Sequence, residues 1–258
     1  MDADSRDLGS SFGSAATAYA EHRPDYPVPA IEWALAPAAG RRVLDLGAGT
    51  GKLTRTLVEL GYEVVAVEPD PAMLAELRRT APTVAAPPGS AEAIPLPDGS
   101  VDAVLAGNAM HWFEMNAASP EIARVLVAGG VVAGLWNLMD DRVDWVAQLS
   151  RVGGAEAIGP RDTPDSWRVE AARLERSMNE TGARFAAAEQ ALFPHGQRRT
   201  VDSLVATFST KAGILVMTQA ERDERLAAIR TFLDGRAETN RGEFTLPMMT
   251  GVLRTRAA

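Results

Sequence analysis

The run Val43-Leu44-Asp45-Leu46-Gly47-Ala48-Gly49-Thr50-Gly51-Lys52-Leu53-Thr54 constrains the fold of this chain more than any other stretch. Val43, Leu44 and Leu46 suit a buried strand, and Asp45 is the one charge among them. Gly47, Gly49 and Gly51 then let the backbone turn where a Cβ would clash. Beyond the turn, Leu53, Leu57 and Leu60 repeat at helical spacing, and Gly61 stands where a helix ends. Strand, glycine turn and helix together make a ligand cradle in which a bound molecule lies against bare main chain.

The spacing narrows the ligand. A dinucleotide fingerprint, G-x-G-x-x-G, places its third glycine at position 52, which is Lys52. A nicotinamide-dependent oxidoreductase is disfavoured on that ground, and the terminal G-K-[ST] of a phosphate loop is also missing. Asp45 beside the turn repels a pyrophosphate and attracts a ligand carrying an ammonium group. With this form, the segment resembles the first motif of the class I S-adenosylmethionine-dependent methyltransferases, whose cofactor carries an amino acid end and a sulfonium.

That resemblance extends over roughly residues 12 to 137 and assigns roles to further positions. Glu68, followed by Pro69, closes a second apolar run of Val64, Val65, Ala66 and Val67. It lies ~20 residues past the glycine turn, where a carboxylate holds a ribose through paired hydroxyl hydrogen bonds. Gly89 to Phe113 resembles the stretch from the adenine-binding loop through the fourth strand. Ser90 stands where many relatives carry Asp, so the backbone around Ala91 and Glu92 takes more of the adenine edge. Asn108 falls near the sulfonium, and Glu121 to Asn137 corresponds to a helix, a glycine turn and a fifth strand. The leader Phe12 to Pro27 resembles that of the small-molecule branch with trans-aconitate-type enzymes, which implies an N-terminal cap over residues 1–27. Tyr19 and Arg23 are its inward-facing candidates, with packing of Phe12, Tyr19 and Tyr26 onto the domain as the alternative.

The implied architecture is α/β: a Rossmann-like, doubly wound, seven-stranded sheet in a single domain spanning 1–258, with a helical lid insertion after strand 5 over 137–185. Helices are expected at Asp144–Val152, Ser166–Met178, Val201–Phe208 and Gln219–Leu233, and strands at Ala188–Phe193 and Phe244–Arg254. The 258 residues, 46% of them hydrophobic, suffice for one large core.

Composition bears on partners. A formal net charge of -8, with Lys52 and Lys211 as the lysines, argues against nucleic acid, which needs clustered cations. The pairs Arg41-Arg42, Arg78-Arg79 and Arg198-Arg199 read as solvated element ends. There is no cysteine, and His22, His111 and His195 are too far apart for a metal motif, so no metal is expected. Asp140, Asp141 and Asp144 read as a solvated helix start. No apolar run approaches the ~18 residues of a membrane span and the polar start lacks a signal core, which implies a cytoplasmic protein.

The function implied is methyl transfer from S-adenosylmethionine to a small organic acceptor by in-line displacement, with S-adenosylhomocysteine as product. The alternative is a non-catalytic S-adenosylmethionine-binding protein acting through a protein partner. His111, just past the fourth strand, is the candidate base if the acceptor must lose a proton, and otherwise an acceptor-pocket or structural residue. Met110, Trp112 and Trp136 are expected to line the acceptor pocket with it, although Met and Trp are more often interior fillers.

Overall fold

In the computed structural model the described residues are 24–158, 163–180 and 185–257. Their first half alternates α1 (Val28–Leu35), β1 (Arg42–Leu46), α2 (Lys52–Glu59), β2 (Glu63–Val67), α3 (Pro71–Thr80), β3 (Val101–Gly107), α4 (Met115–Val125) and β4 (Leu126–Met139). The second half comprises α5 (Asp144–Ala157), α6 (Pro164–Asn179), β5 (Glu189–Arg199), α7 (Val201–Ser209), α8 (Ala212–Leu215), α9 (Gln219–Asp234) and β6 (Phe244–Arg256). The strands form one mixed sheet of order β2-β1-β3-β4-β6-β5. The first four run parallel, and β6 lies antiparallel between β4 and β5. Strand order reverses between β1 and β3, and open α/β sheets take ligands beyond the carboxyl ends of their strands at such a reversal.

Parallel strands covered on both faces are largely apolar, and β3 is so with Val101, Ala103, Val104, Leu105 and Ala106, all buried, Asp102 being its one charge. One core, on α4 and α6, gathers Leu44, Leu46, Val104, Ile122, Trp136 and Trp167. Another, under α1 and α2, gathers Ile31, Val43, Leu57, Leu105 and Leu135.

Three expectations are corrected. Among the described residues the sheet has six strands where seven are expected: the segment beyond β2 makes only the isolated bridges Val65–Ala85 and Glu68–Pro88. Pro87 and Pro88 carry no N–H with which to extend a ladder there. Strand β5 continues past Phe193 to Arg199, through Pro194 and Gly196. It is an edge strand bonded only to β6, and a proline is tolerated where no second ladder needs its N–H. The expected insertion at 137 begins later, because β4 holds Asn137, Leu138 and Met139. Its two helices are core elements: α6 sets the buried Trp167 over Gly251 of β6, and α5 places Trp145, Val146 and Leu149 in a third cluster with Phe208 and Ile229.

The arginine pairs are also more engaged than expected. Arg41 donates to the carbonyls of Leu60 and Gly61 at the end of α2, and Arg42 holds Asp102 through its backbone N–H, Nε and Nη2. These bonds tie the amino ends of β1 and β3 together, opposite the ligand end of the sheet. A recess of about 480 Å³ beside them, lined by Tyr62, Val65 and Val101, is therefore remote from the glycine turn.

Candidate active site

The glycine turn is built as its sequence demands. Gly47, Gly49 and Gly51 adopt φ of 69°, 57° and 83°, a left-handed conformation in which a Cβ is strained. The amides of Gly47 and Ala48 donate to Val67 O at 2.9 and 3.1 Å, and Gly51 N donates to Ala48 O at 2.9 Å. Gly49 N donates to Glu68 Oε2 at 2.8 Å. The main chain here is thus engaged by the protein, not bare, which corrects the simplest picture of the cradle. What the glycines leave open is space: a Cβ on Gly49 would meet nothing within 4 Å, whereas one on Gly47 would come within 2.8 Å of Ala109 Cβ.

Two acids stand against this turn. Asp45, at the end of β1, is 1% exposed; Thr54 Oγ1 in α2 donates to its Oδ2 at 2.5 Å, while Oδ1 is buried with no hydrogen-bond partner. Burial raises its pKa to about 7, opposed by the Thr54 bond and reinforced by Glu68. A buried carboxylate oxygen without a partner is costly unless something cationic completes it. Glu68 is likewise buried and its pKa raised by burial, against the lowering bonds from the amides of Asp70 (2.9 Å, to Oε1) and Gly49. Each Glu68 oxygen still has a second lone pair with which to accept a hydroxyl.

Segment 88–92 is joined to the end of β2 by the Glu68–Pro88 bridge and by Gly89 N donating to Glu68 O at 3.4 Å. Ser90 is partly exposed and Ala91 buried, and Glu92 Oε1 accepts from Glu114 N at 2.9 Å, fixing the loop to the start of α4. Pro69 is exposed, next to Asp70, whose side chain caps α3 by accepting from Ala72 N and Met73 N.

Beyond β3 the chain turns at Asn108, among the described residues the one non-glycine with positive φ, 51°. Asparagine tolerates this region better than most residues. Its amide donates to Leu135 O at 2.7 Å and its Oδ1 accepts from Asn137 N at 3.1 Å. The short turn that follows, Met110–Trp112, leads to Phe113, whose ring would lie 3.4 Å from a Gly47 Cβ; His111 and Trp112 are half-buried beside it. Trp136 Nε1 donates to His111 Nδ1 at 3.1 Å, and the His111 and Trp112 ring centroids are 4.9 Å apart. Met110 is 1% and Trp136 2% exposed, so both side chains lie in the interior beneath this turn.

Asn137 and Asp25 belong to the site's framework although no motif marks them. Asn137 Nδ2 donates to the carbonyls of Pro24 (3.3 Å) and Asp25 (3.2 Å), while Thr250 Oγ1 donates to Asn137 Oδ1 at 2.7 Å. Because Thr250 spends its one proton on Asn137, the 3.1 Å contact from His195 Nε2 is a bond donated by the ring, which burial keeps below the usual histidine pKa. Lys52, the residue that breaks the dinucleotide pattern, pairs with Asp25 at 3.1 Å. Residues 24–26 are thereby strapped across the ends of β3 and β4, with Tyr26 lying over Gly107. Tyr19 and Arg23 lie outside the described residues. Asn137→Ala strands two backbone carbonyls and the Thr250 hydroxyl, and is expected to lower stability in chemical denaturation by about 1–3 kcal/mol. It should also speed proteolytic cleavage near residue 24.

Among the described residues no three His, Asp or Glu side chains converge as metal ligands would, and no helix is long and apolar enough to cross a membrane.

Comparison with known proteins agrees with this geometry. Residues 44–134 match the model of a methyltransferase domain. An uncharacterized methyltransferase of Mycobacterium tuberculosis is 54% identical over 157 residues, 61% of this chain and 64% of that protein's length. An uncharacterized methyltransferase-like protein of Schizosaccharomyces pombe is 33% identical over 220 residues, covering 83% of this chain and 82% of that one. Among solved structures, a protein from Anaeromyxobacter dehalogenans described as a type II methyltransferase superposes with a TM-score of 0.63 at 24% identity, over 91% of this chain and 97% of its own. The chain belongs to the methyltransferase family and has its class I α/β fold.

Proposed function

We propose that the protein binds S-adenosylmethionine in the cradle formed by the glycine turn, Asp45 and Glu68, and methylates a small organic acceptor held near His111 and Trp112. The observation that carries this reading is the unpartnered Oδ1 of Asp45, buried behind the turn. The donor's α-ammonium completes it, as a pyrophosphate could not. Glu68 takes the ribose hydroxyls, the backbone of Ser90 to Glu92 the adenine edge, and Asn108 the region of the sulfonium.

When bound, the cofactor supplies a methyl group on a positively charged sulfur, open to in-line attack. The protein's part is alignment: a donor and acceptor held at near-attack distance gain ~7–11 kcal/mol from entropy already spent in binding. The Phe113 ring against Gly47, followed in the same turn by the His111–Trp112 ring pair, supports an acceptor held beside the cradle.

Calorimetry with S-adenosylhomocysteine, S-adenosylmethionine and NAD tests the binding half, with the first two expected to bind and NAD not. A methyl-release screen over metabolite pools tests the transfer half. Binding without release from any pool would leave a non-catalytic cofactor-binding protein, and absence of binding would end the reading.

A further inference from the structure

We infer that Lys52 is a positioning residue whose ion pair with Asp25 latches residues 24–26 across the ligand crevice, so that this pair sets how fast the donor enters and leaves more than how tightly it binds. The inference rests on the methyltransferase reading above and adds to it the means by which the bound molecule is retained.

Lys52 opens α2, directly after Gly51. Lysine is among the residues least often buried. This side chain is nevertheless only 14% exposed, and its Nζ stands 3.1 Å from Asp25 Oδ1. Arg55, three residues further along the same helix, brings Nη2 to 3.9 Å from that oxygen. From the glycine-turn side, α2 thus offers Asp25 two cations. From the other side, β4 grips the backbone of the same segment: Asn137 Nδ2 donates to the carbonyls of Pro24 and Asp25 at 3.3 and 3.2 Å.

The strand order turns these two holds into a crossing. β3 lies between β1, which leads into α2, and β4, which carries Asn137. A segment bonded to both therefore passes over the end of β3, where Tyr26 covers Gly107. The reversal between β1 and β3 beneath it is where an open α/β sheet takes its ligand. A donor in the cradle must pass this segment on its way in and out.

The two holds differ in strength. Asn137 is buried and Thr250 completes its amide, so freeing it strands polar groups in the interior. The Asp25 side chain is 65% exposed, and water and salt compete for it. The Asn137 bonds are the fixed end, and the Lys52–Asp25 pair is the end that opens while the fold stays intact. Position 52 is also where a dinucleotide fingerprint needs glycine for close helix packing, and here its side chain is spent on the crossing segment.

The test measures exchange of S-adenosylhomocysteine by rapid mixing, with a chase of radiolabelled by unlabelled ligand for release. Hydrogen exchange of the ligand-free protein, read by mass spectrometry on the peptide containing residues 24–28, follows the latch without any ligand. Asp25→Asn loses both cations and should raise the association and release rates together by ~2- to 5-fold, the range an exposed ion pair can give. Kd should change less than either rate, and the 24–28 peptide should exchange faster. Lys52→Met, which leaves Arg55, should have a smaller effect of the same kind, and Lys52→Arg should stay near the wild type. Added salt should speed release from the wild type and have less effect on Asp25→Asn. Rates in Asp25→Asn equal to the wild type, a change confined to the release rate, or Lys52→Arg as fast as Lys52→Met would each overturn the inference. Failure of the wild type to bind S-adenosylhomocysteine would instead overturn the cofactor reading, while hydrogen exchange in the ligand-free variants would still report on the latch.

Discussion

Gly47→Ala is expected to cost about 2–6 kcal/mol of stability, the sum of left-handed strain and overpacking. Position 47 has φ 69°, and its Cβ would stand 2.8 Å from that of Ala109, a backbone-anchored atom that cannot rotate away. Typical domains have only ~5–15 kcal/mol in hand, so the variant should melt well below the parent, on the order of 10 °C or more. Gly49→Ala makes the instructive contrast. Its φ of 57° carries the same kind of strain, but nothing lies within 4 Å of the added methyl. We expect it to lose about 1–2 kcal/mol and remain folded, yet to bind S-adenosylhomocysteine at least tenfold more weakly, because the methyl enters space meant for the ligand. Thermal melts with calorimetry on both variants check the pair. Equal stability losses, or undiminished affinity in Gly49→Ala, would show that the turn does not divide its work in this way.

Asp45→Asn is expected to abolish most cofactor affinity while relieving the fold. A charged hydrogen bond to the ligand's ammonium is worth ~1.5–3 kcal/mol, which corresponds to a ~10- to 100-fold weaker complex. For stability the sign is the reverse of the usual carboxylate. Burial lifts the folded-state pKa to about 7, above that of the unfolded chain. The favourable contribution is therefore complete below the unfolded value near 4 and disappears as pH rises through about 7. A shift of that size corresponds to on the order of 4 kcal/mol at 1.36 kcal/mol per unit. Glu68, also raised, adds in the same direction, while Asp102 and Glu121, lowered by Arg42 and Arg124, oppose it. The difference between wild type and Asp45→Asn isolates the one residue. Ligand-free Asp45→Asn should gain on the wild type as pH climbs from 4 to 7, then hold a constant advantage; parallel stability curves would refute this.

Much of this arrangement is legible in the sequence because local chemistry dictates it. Asp45, the three glycines and Glu68 are fixed by strand periodicity and by positive φ, and both are properties of consecutive residues. The helices at 144, 164, 201 and 219 announce themselves through spacing and caps; Thr200 and Thr218 each form a capping box. What stays hidden depends on distant partners. Nothing near Asn137 in the chain signals that it holds Pro24 and Asp25, more than 110 residues away, or that Thr250 completes its bonds. The length of β5 was obscured by Pro194, a breaker in isolation that an edge strand tolerates. The segment ending at Pro87 and Pro88 makes only two isolated bridges, and no residue pattern there announces even these. Met110 and Trp136 look like pocket residues by type, and only the packing of Gly134, Gly251 and Trp167 shows the indole turned inward to the imidazole.

The central claim is that Asp45 meets a cationic ligand group in the cradle, and proton release on binding measures this directly. Calorimetry of S-adenosylhomocysteine binding in two buffers of different ionisation enthalpy, from pH 5 to 7.5, reads both affinity and protons exchanged. If an ammonium completes Asp45, binding near pH 6 releases about one proton, and affinity climbs by up to ~tenfold per pH unit before levelling near pH 7. The same titration of Asp45→Asn should release none. Wild-type binding that is flat with pH and releases no proton would contradict the account.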